Sequence, residues 1–498
     1  MNSESKDSFE VNRRQFLASA GLAGGAALTL KGGQVAAHVN PVMGAIPLPG
    51  DGPEKPRIHV GFIQSPPGQY NEMGWPGMEY DSDASQALYT KTIEEAAAEA
   101  GVVVNIENSR LGNDGAMDAF LAQALSDQAD GVILINMEAQ TYGVQGFYRF
   151  LEQRGDQSKL PLIGFVPHGT LHHHPGDYDP FRSAPNCFLA ASADISWLAT
   201  AVRMLKARWQ MAHTRLAVVT GDQESEQRLE PLGTVVCSIP MEHYKRIEAT
   251  TDGAREVREI ARLYLENAKD RLEPSEEEVF AAARAYVANR RLLEEKNCHG
   301  VAINCFQPVT HKEIIPPCLA FMQLLDEGSV GVCEADVFPG LTQLLSRYLL
   351  DMPGFLHNPI HDTTRNLYAG GHCTAPTRMA GLNQAPEPYI LRSHHEAGFG
   401  AVPQVLFKKE QPATLWRFLS PDTLMIATGS ILWNVDTHPD DGTGGCRTSF
   451  VMEMDDVPDV RQIRGHHKIL TYGKHLHSVR AWADLTGVKL EHITGGEV

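Results

Sequence analysis

From Arg57 onward, short continuous apolar runs alternate with amphipathic stretches: "RIHVGFIQ", "TKTIEEAAAEAG", "VVVNIENS", "AMDAFLAQALSDQ", "ADGVILINM" and "LPLIGFV". The Val/Ile-rich runs have no polar face, while the stretches between them repeat apolar residues at helical spacing. Strands apolar on both faces belong to parallel sheets covered by helices on each side. The pattern therefore predicts an α/β domain over 57–175. A second series follows over 176–375. Its strands are "TRLAVVTG", "GTVVCSIP", "HGVAINCF" and the run ending in Cys333. Its helices include "ISWLATAVRMLKARWQ", two charged segments between 254 and 296, "CLAFMQLLDEG" and "GLTQLLSRYLL". Beyond Pro376 the pattern changes to short strand-like runs between turns, "VPQVLFKKEQPATLWRFL", "DTLMIATGSIL", "TSFVMEM" and "HHKILTYG", with little helix until 475–486. That predicts a mainly β domain over 376–498, a barrel or sandwich closed by one helix.

Residues 1–37 stand apart. Arg13-Arg14 and Phe16-Leu17 precede a weakly apolar run rich in Gly and Ala, and "VAA" at 35–37 offers a cleavage site before His38. This order reads as a twin-arginine export signal, which places the mature protein in the periplasm or outside the cell. The run is too short and too rich in small residues to span a membrane, and no other segment could anchor the chain in one. Twin-arginine export carries folded proteins, so a metal inserted before export fits this route. The formal charge of −18 opposes nucleic acid or anionic lipid as a partner and leaves small neutral ligands open. Eight cysteines include no CxxC pair, which argues against a zinc ribbon or a thioredoxin-like motif. Cys305, Cys333 and Cys373 lie in apolar runs and read as buried free thiols. Nucleotide binding has no support, because no GxGxxG follows a strand and no Walker lysine is present.

The chemistry concentrates late in the chain. "GVCEADVFPG" puts Glu334 and Asp336 at the end of a buried strand, where charge is costly without a partner. The carboxyl ends of parallel strands are also where open α/β sheets bind ligands. "FLHNPIHD" adds His357, Asn358, His361 and Asp362, "YAGGHC" adds His372 at a strand end, and "RGHHKILTYG" adds His466 and His467. A mixed carboxylate and imidazole shell suits a divalent cation such as Mn²⁺. The tract His172–His174 sits in a Pro/Gly-rich loop and reads as loop rather than ligand set.

Together, "INCFQPV", "PPCLAFMQLLDEGSVGVCEADVFPGLTQLL", "GFLHN" and "NLYAGGHCTAP" resemble the L-fucose isomerase and L-arabinose isomerase superfamily, densely over 300–376 and more loosely through "QPATLWRF" and "GHHKILTYG". The resemblance implies two Rossmann-like domains followed by a β-rich, barrel-like domain. It also implies aldose–ketose interconversion of a small open-chain sugar, with a Mn²⁺-type ion gripping neighbouring oxygens and a base moving a proton between C1 and C2 through an enediol. Glu334 matches the family glutamate that is both metal ligand and base. His372 resembles a strand-end histidine of the arabinose enzymes, and His466-His467 resembles the C-terminal ligand histidine, with His467 preferred. Gln307, Asp336 and His372 are the expected sugar contacts, although Asp336 in the shared E-x-D pattern more often braces the loop. The resemblance further implies a homo-oligomer, with residues 65–75 near the metal of an adjacent subunit. One position departs: where the family has a second carboxylate for metal and catalysis, this chain has Asn358. Either Asp362 or Asp336 substitutes, or the proton transfer differs, or the protein is an exported sugar-binding protein with a degraded site.

Overall fold

The computed structural model describes residues 42–65, 73–74, 78–79, 81–138, 142–155, 159–170, 179, 181, 184–435 and 446–494. The export-signal segment, His172–His174 and most of the 65–75 segment lie outside the described residues.

The first sheet contains β1 (Arg57–Ile63), β2 (Val103–Ile106), β3 (Gly131–Asn136), β4 (Leu162–Pro167) and β5 (Cys187–Ser192). Every pair is parallel and the order is β2-β1-β3-β4-β5, that of a doubly wound sheet. The unbroken apolar run of β3 is explained by its position: Val132 and Leu134 pack with Phe120, Phe147 and Phe150 on one face. On the other face Ile133 and Ile135 pack with Tyr89, Ile93 and Leu198. The helices involved are α1 (Ser82–Ala100), α2 (Asp114–Ser126), α3 (Gly143–Arg154) and α4 (Trp197–His213). Asp81 caps α1 by accepting from the Ala84 N–H at 2.9 Å, which satisfies a donor that has no partner within the helix.

The second sheet is built from β6 (Arg215–Val219), β7 (Ser225–Leu229), β8 (Thr234–Ile239), β9 (Gly300–Ile303) and β10 (Val330–Cys333), in the order β10-β9-β6-β8-β7. Its pairs are parallel except for the edge strand β7, which runs antiparallel to β8.

A closed barrel of six antiparallel strands completes the fold. They are β11 (Phe355–Asp362), β12 (Leu367–His372), β13 (Gln411–Ser420), β14 (Thr423–Asn434), β15 (Thr448–Met454) and β16 (Lys468–Tyr472). The order β13-β16-β11-β12-β15-β14 closes through β14 pairing with β13. A further strand, β17 (Lys489–His492), runs parallel to β14 outside the ring. The barrel begins at Phe355, so the sequence boundary at 376 is corrected: β11 and β12 belong with strands about a hundred residues later. Apolar alternation reveals that a segment is extended but not which strand it will pair with. Helix α5 (Val337–Leu345) follows β10 and packs against both β10 and the barrel strands β13 and β16. Its Thr342 hydroxyl accepts from the Phe418 N–H at 2.9 Å, so the carboxyl edge of the second sheet is fixed against one end of the barrel. Among the described residues no helix is long and apolar enough to cross a membrane.

Candidate metal centre

Strand β10 ends at Cys333, and the next two residues, Glu334 and Ala335, have φ values of 58° and 50°. Two successive non-glycine residues in the left-handed region are strained, at roughly 1–2 kcal/mol each. The Ala335 N–H donates to the Ile303 carbonyl at the end of neighbouring β9, at 3.0 Å, which holds this turn. The Glu334 carboxylate then faces two histidines from the barrel: His372, the last residue of β12, and His467, just before β16.

The carboxylate lies between the two imidazoles. Glu334 Oε1 is 3.7 Å from His372 Nε2, and Oε2 is 3.6 Å from His467 Nε2. These separations are too long for hydrogen bonds. They suit donors around one cation, whose bonds of ~2.0–2.2 Å separate adjacent ligand atoms by roughly 3 Å or more. The ligand atoms of all three residues lie within 4.8 Å of one another. His372 and His467 are 5 % and 1 % exposed, yet among the described residues both ring nitrogens of His372 and Nε2 of His467 have no hydrogen-bond partner. Leaving such atoms unpaired in the interior costs about 1–3 kcal/mol each. A divalent cation would satisfy the two Nε2 atoms that face Glu334, and the donor set fits one.

A supporting shell surrounds this group. His467 Nδ1 donates to Asp336 Oδ2 at 3.0 Å, which sets the tautomer that leaves Nε2 as a lone pair. Arg417 donates to Asp336 Oδ2 at 3.1 Å and to the His467 carbonyl at 2.6 Å. The side chains of His372 and then His467 hold the Glu334 carboxyl far below its usual range. Burial pulls His467 down, but Asp336 and Glu334 outweigh it and the net direction is upward. Burial lowers His372, favouring the neutral, ligand-competent ring.

The remaining candidates separate clearly. Asn358 lies opposite Gly371 across the β11–β12 pair, and its Oδ1 is buried without a partner. His466 is exposed, its ring 4.3 Å from that of His467. Gln307 is exposed on the short helix Phe306–Thr310 that follows β9. His357 is a core residue, fully buried and bonded to the Tyr368 hydroxyl at 2.9 Å. His361, half-buried, lies nearer the hairpin turn, its ring 5.8 Å from that of Tyr368 and tilted by 52° to it. Asp362 accepts from Thr364 and Arg365 in that turn, and Asp336 is committed to His467 and Arg417. Both aspartates are thus engaged by partners other than Asn358.

Two residues of the site escaped sequence reading. Arg417 lies in a barrel strand, and its role depends on a contact to Asp336 across 81 positions. Lys468 is fully buried, donates to the carbonyls of Gly465 and His466 at 2.7 and 3.3 Å, and is lowered by burial to about 7. The adjacent "HHK" was the only local signal.

No family model matches the chain, and no curated protein matches it. Among solved structures, a periplasmic solute-binding protein of an ABC transporter from Actinobacillus succinogenes, with bound D-allose, is 10 % identical, with 59 % of this chain and 92 % of that one covered and a TM-score of 0.19. GanP, a glucose-galactose binding protein from Geobacillus stearothermophilus, is 12 % identical over 60 % of this chain and 89 % of that one, with a TM-score of 0.18. A sugar ABC transporter protein from Yersinia enterocolitica is 12 % identical over 59 % and 78 %, with a TM-score of 0.17. TM-scores this low do not amount to a shared fold, so any functional reading has to come from the site itself.

Proposed function

We propose that this protein is a divalent-metal-dependent isomerase of a small open-chain sugar, with Glu334, His372 and His467 holding the ion. The observation that carries the reading is the convergence of one carboxylate and two buried imidazoles whose Nε2 atoms have no hydrogen-bond partner among the described residues, drawn from two different modules, with Asp336 fixing one of the rings. The succession of two parallel-sheet modules and an antiparallel barrel supports it as well. A bound Mn²⁺-type ion would supply Lewis acidity to a carbonyl and its neighbouring hydroxyl. Glu334, kept ionised by its histidine neighbours, is the group able to take a proton from the carbon beside that carbonyl and return it to the adjacent one.

A second reading, a sugar-binding protein that does not isomerise, is favoured by one observation: Asn358 supplies an amide that can coordinate through oxygen but cannot accept the proton. The two readings differ in one measurement. Aldopentoses and 6-deoxyaldohexoses are incubated in D₂O with the Mn²⁺-loaded protein and followed by proton NMR. Deuterium entering at C1 or C2, with ketose formed, is the result expected of the isomerase. Sugar binding seen by calorimetry without any exchange would establish the second reading and overturn the first.

A further inference from the structure

Cys373 directly follows His372, and its side chain packs among Cys318, Val402 and Cys446. Its Sγ, the Sγ of Cys446 and a carboxylate oxygen of Glu396 all lie within 4.8 Å of one another. The Cys373 thiol donates to Glu396 Oε2 at 3.7 Å, and buried His394 brings Nδ1 to 3.4 Å from the same oxygen. Next to Cys446, Arg447 is anchored by donating to the Ser393 carbonyl at 2.9 Å and to its hydroxyl at 3.3 Å. A guanidinium is thus held beside the group.

We propose that Cys373, Cys446 and Glu396 form a second metal site, for a thiophilic divalent ion such as Zn²⁺. Soft thiolates select zinc-like ions over the harder Mn²⁺ or Mg²⁺, whereas the Glu334 group offers only oxygen and nitrogen donors. Two thiolates and one carboxylate provide three positions of a tetrahedral shell, leaving the fourth for solvent or for His394. Binding converts both thiols to thiolates and releases two protons to solvent, with no change in oxidation state. An M²⁺ ion with two thiolates and one carboxylate carries a net charge of −1, which the Arg447 guanidinium opposes. All eight cysteines are free, so both sulfurs have a ligand position to give.

The probe is Co²⁺, whose bond to thiolate gives a charge-transfer band in the near ultraviolet. Reduced full-length protein, first saturated with Mn²⁺, is titrated with Co²⁺. The expected result is a thiolate band saturating at one ion per chain, absent in Cys446→Ser and unchanged in Glu334→Gln. Glu396 is partly exposed, so Glu396→Gln keeps the fold testable, and it should weaken Co²⁺ by more than about tenfold with melting temperature unchanged. A wild-type protein without the band, a band that survives Cys446→Ser, or one lost in Glu334→Gln would each overturn the proposal. None of these outcomes depends on whether the first centre isomerises sugars.

Discussion

Asp336 is not one of the three proposed ligands, yet it governs one of them. Its carboxylate accepts from His467 Nδ1 and from Arg417, so it raises the basicity of the ring at the opposite nitrogen. Asp336→Asn keeps an oxygen for that bond and removes the charge. Mn²⁺ affinity measured by calorimetry should fall about 10–100-fold, and an unchanged affinity would show that His467 is oriented by something else. Asn358 is the converse case, a buried amide oxygen with no partner. Asn358→Asp adds a negative charge and should tighten Mn²⁺; equal or weaker binding would exclude position 358 from the metal shell. Away from the site, Glu248 is 7 % exposed and burial raises its carboxyl from the ordinary 4.5 to about 7. Its native form binds the proton more tightly than the unfolded chain does. The stability it contributes is therefore full below pH 4.5 and is lost as pH rises to about 7. Glu248→Gln should remove this loss and stabilise the protein above pH 7 by on the order of 1–3 kcal/mol, with little effect at pH 4. Equal melting shifts at the two pH values would refute the assignment.

Among the elements, the turn after β10 concentrates cost and purpose. Ala335→Gly would relieve roughly 1–2 kcal/mol of left-handed strain. It would also lose about 0.8 kcal/mol of methyl burial and a further 0.5–1 kcal/mol to the freer unfolded chain. These terms nearly cancel, so the melting temperature should hardly move. Metal affinity should still drop, because the turn no longer confines Glu334; retained affinity would mean that the backbone does not position it. The same segment shows what sequence can and cannot disclose. β3, β9 and β10 were legible because a strand buried on both faces has to be apolar throughout. Glu334, His372 and His467 were legible as polar residues at the ends of such runs. The membership of β11 and β12 in the barrel was not, since it rests on hydrogen bonds to β15 and β16, far along the chain. Lys468 was missed for a related reason: its ammonium is satisfied by backbone carbonyls, a partner that composition does not reveal.

For the molecule as a whole, a ligand bound only by the native state adds stability by mass action. Mn²⁺ at a hundred times its dissociation constant should add about 2.7 kcal/mol. Chelation should then lower the melting temperature by a few degrees, Mn²⁺ should restore it, and Glu334→Gln should abolish the response; a variant that still responds would move the ion elsewhere. The centre also has a bearing on how the chain is made. Its proposed ligands come from positions 334, 372 and 467, and the last lies just ahead of β16. A chain that stops short of His467 has only one carboxylate and one imidazole to offer. Two such donors leave most of a divalent ion's shell to water, and the ion departs easily. Capture has to wait for His467, so an ion retained in this centre marks a copy in which the second sheet and the barrel have come together.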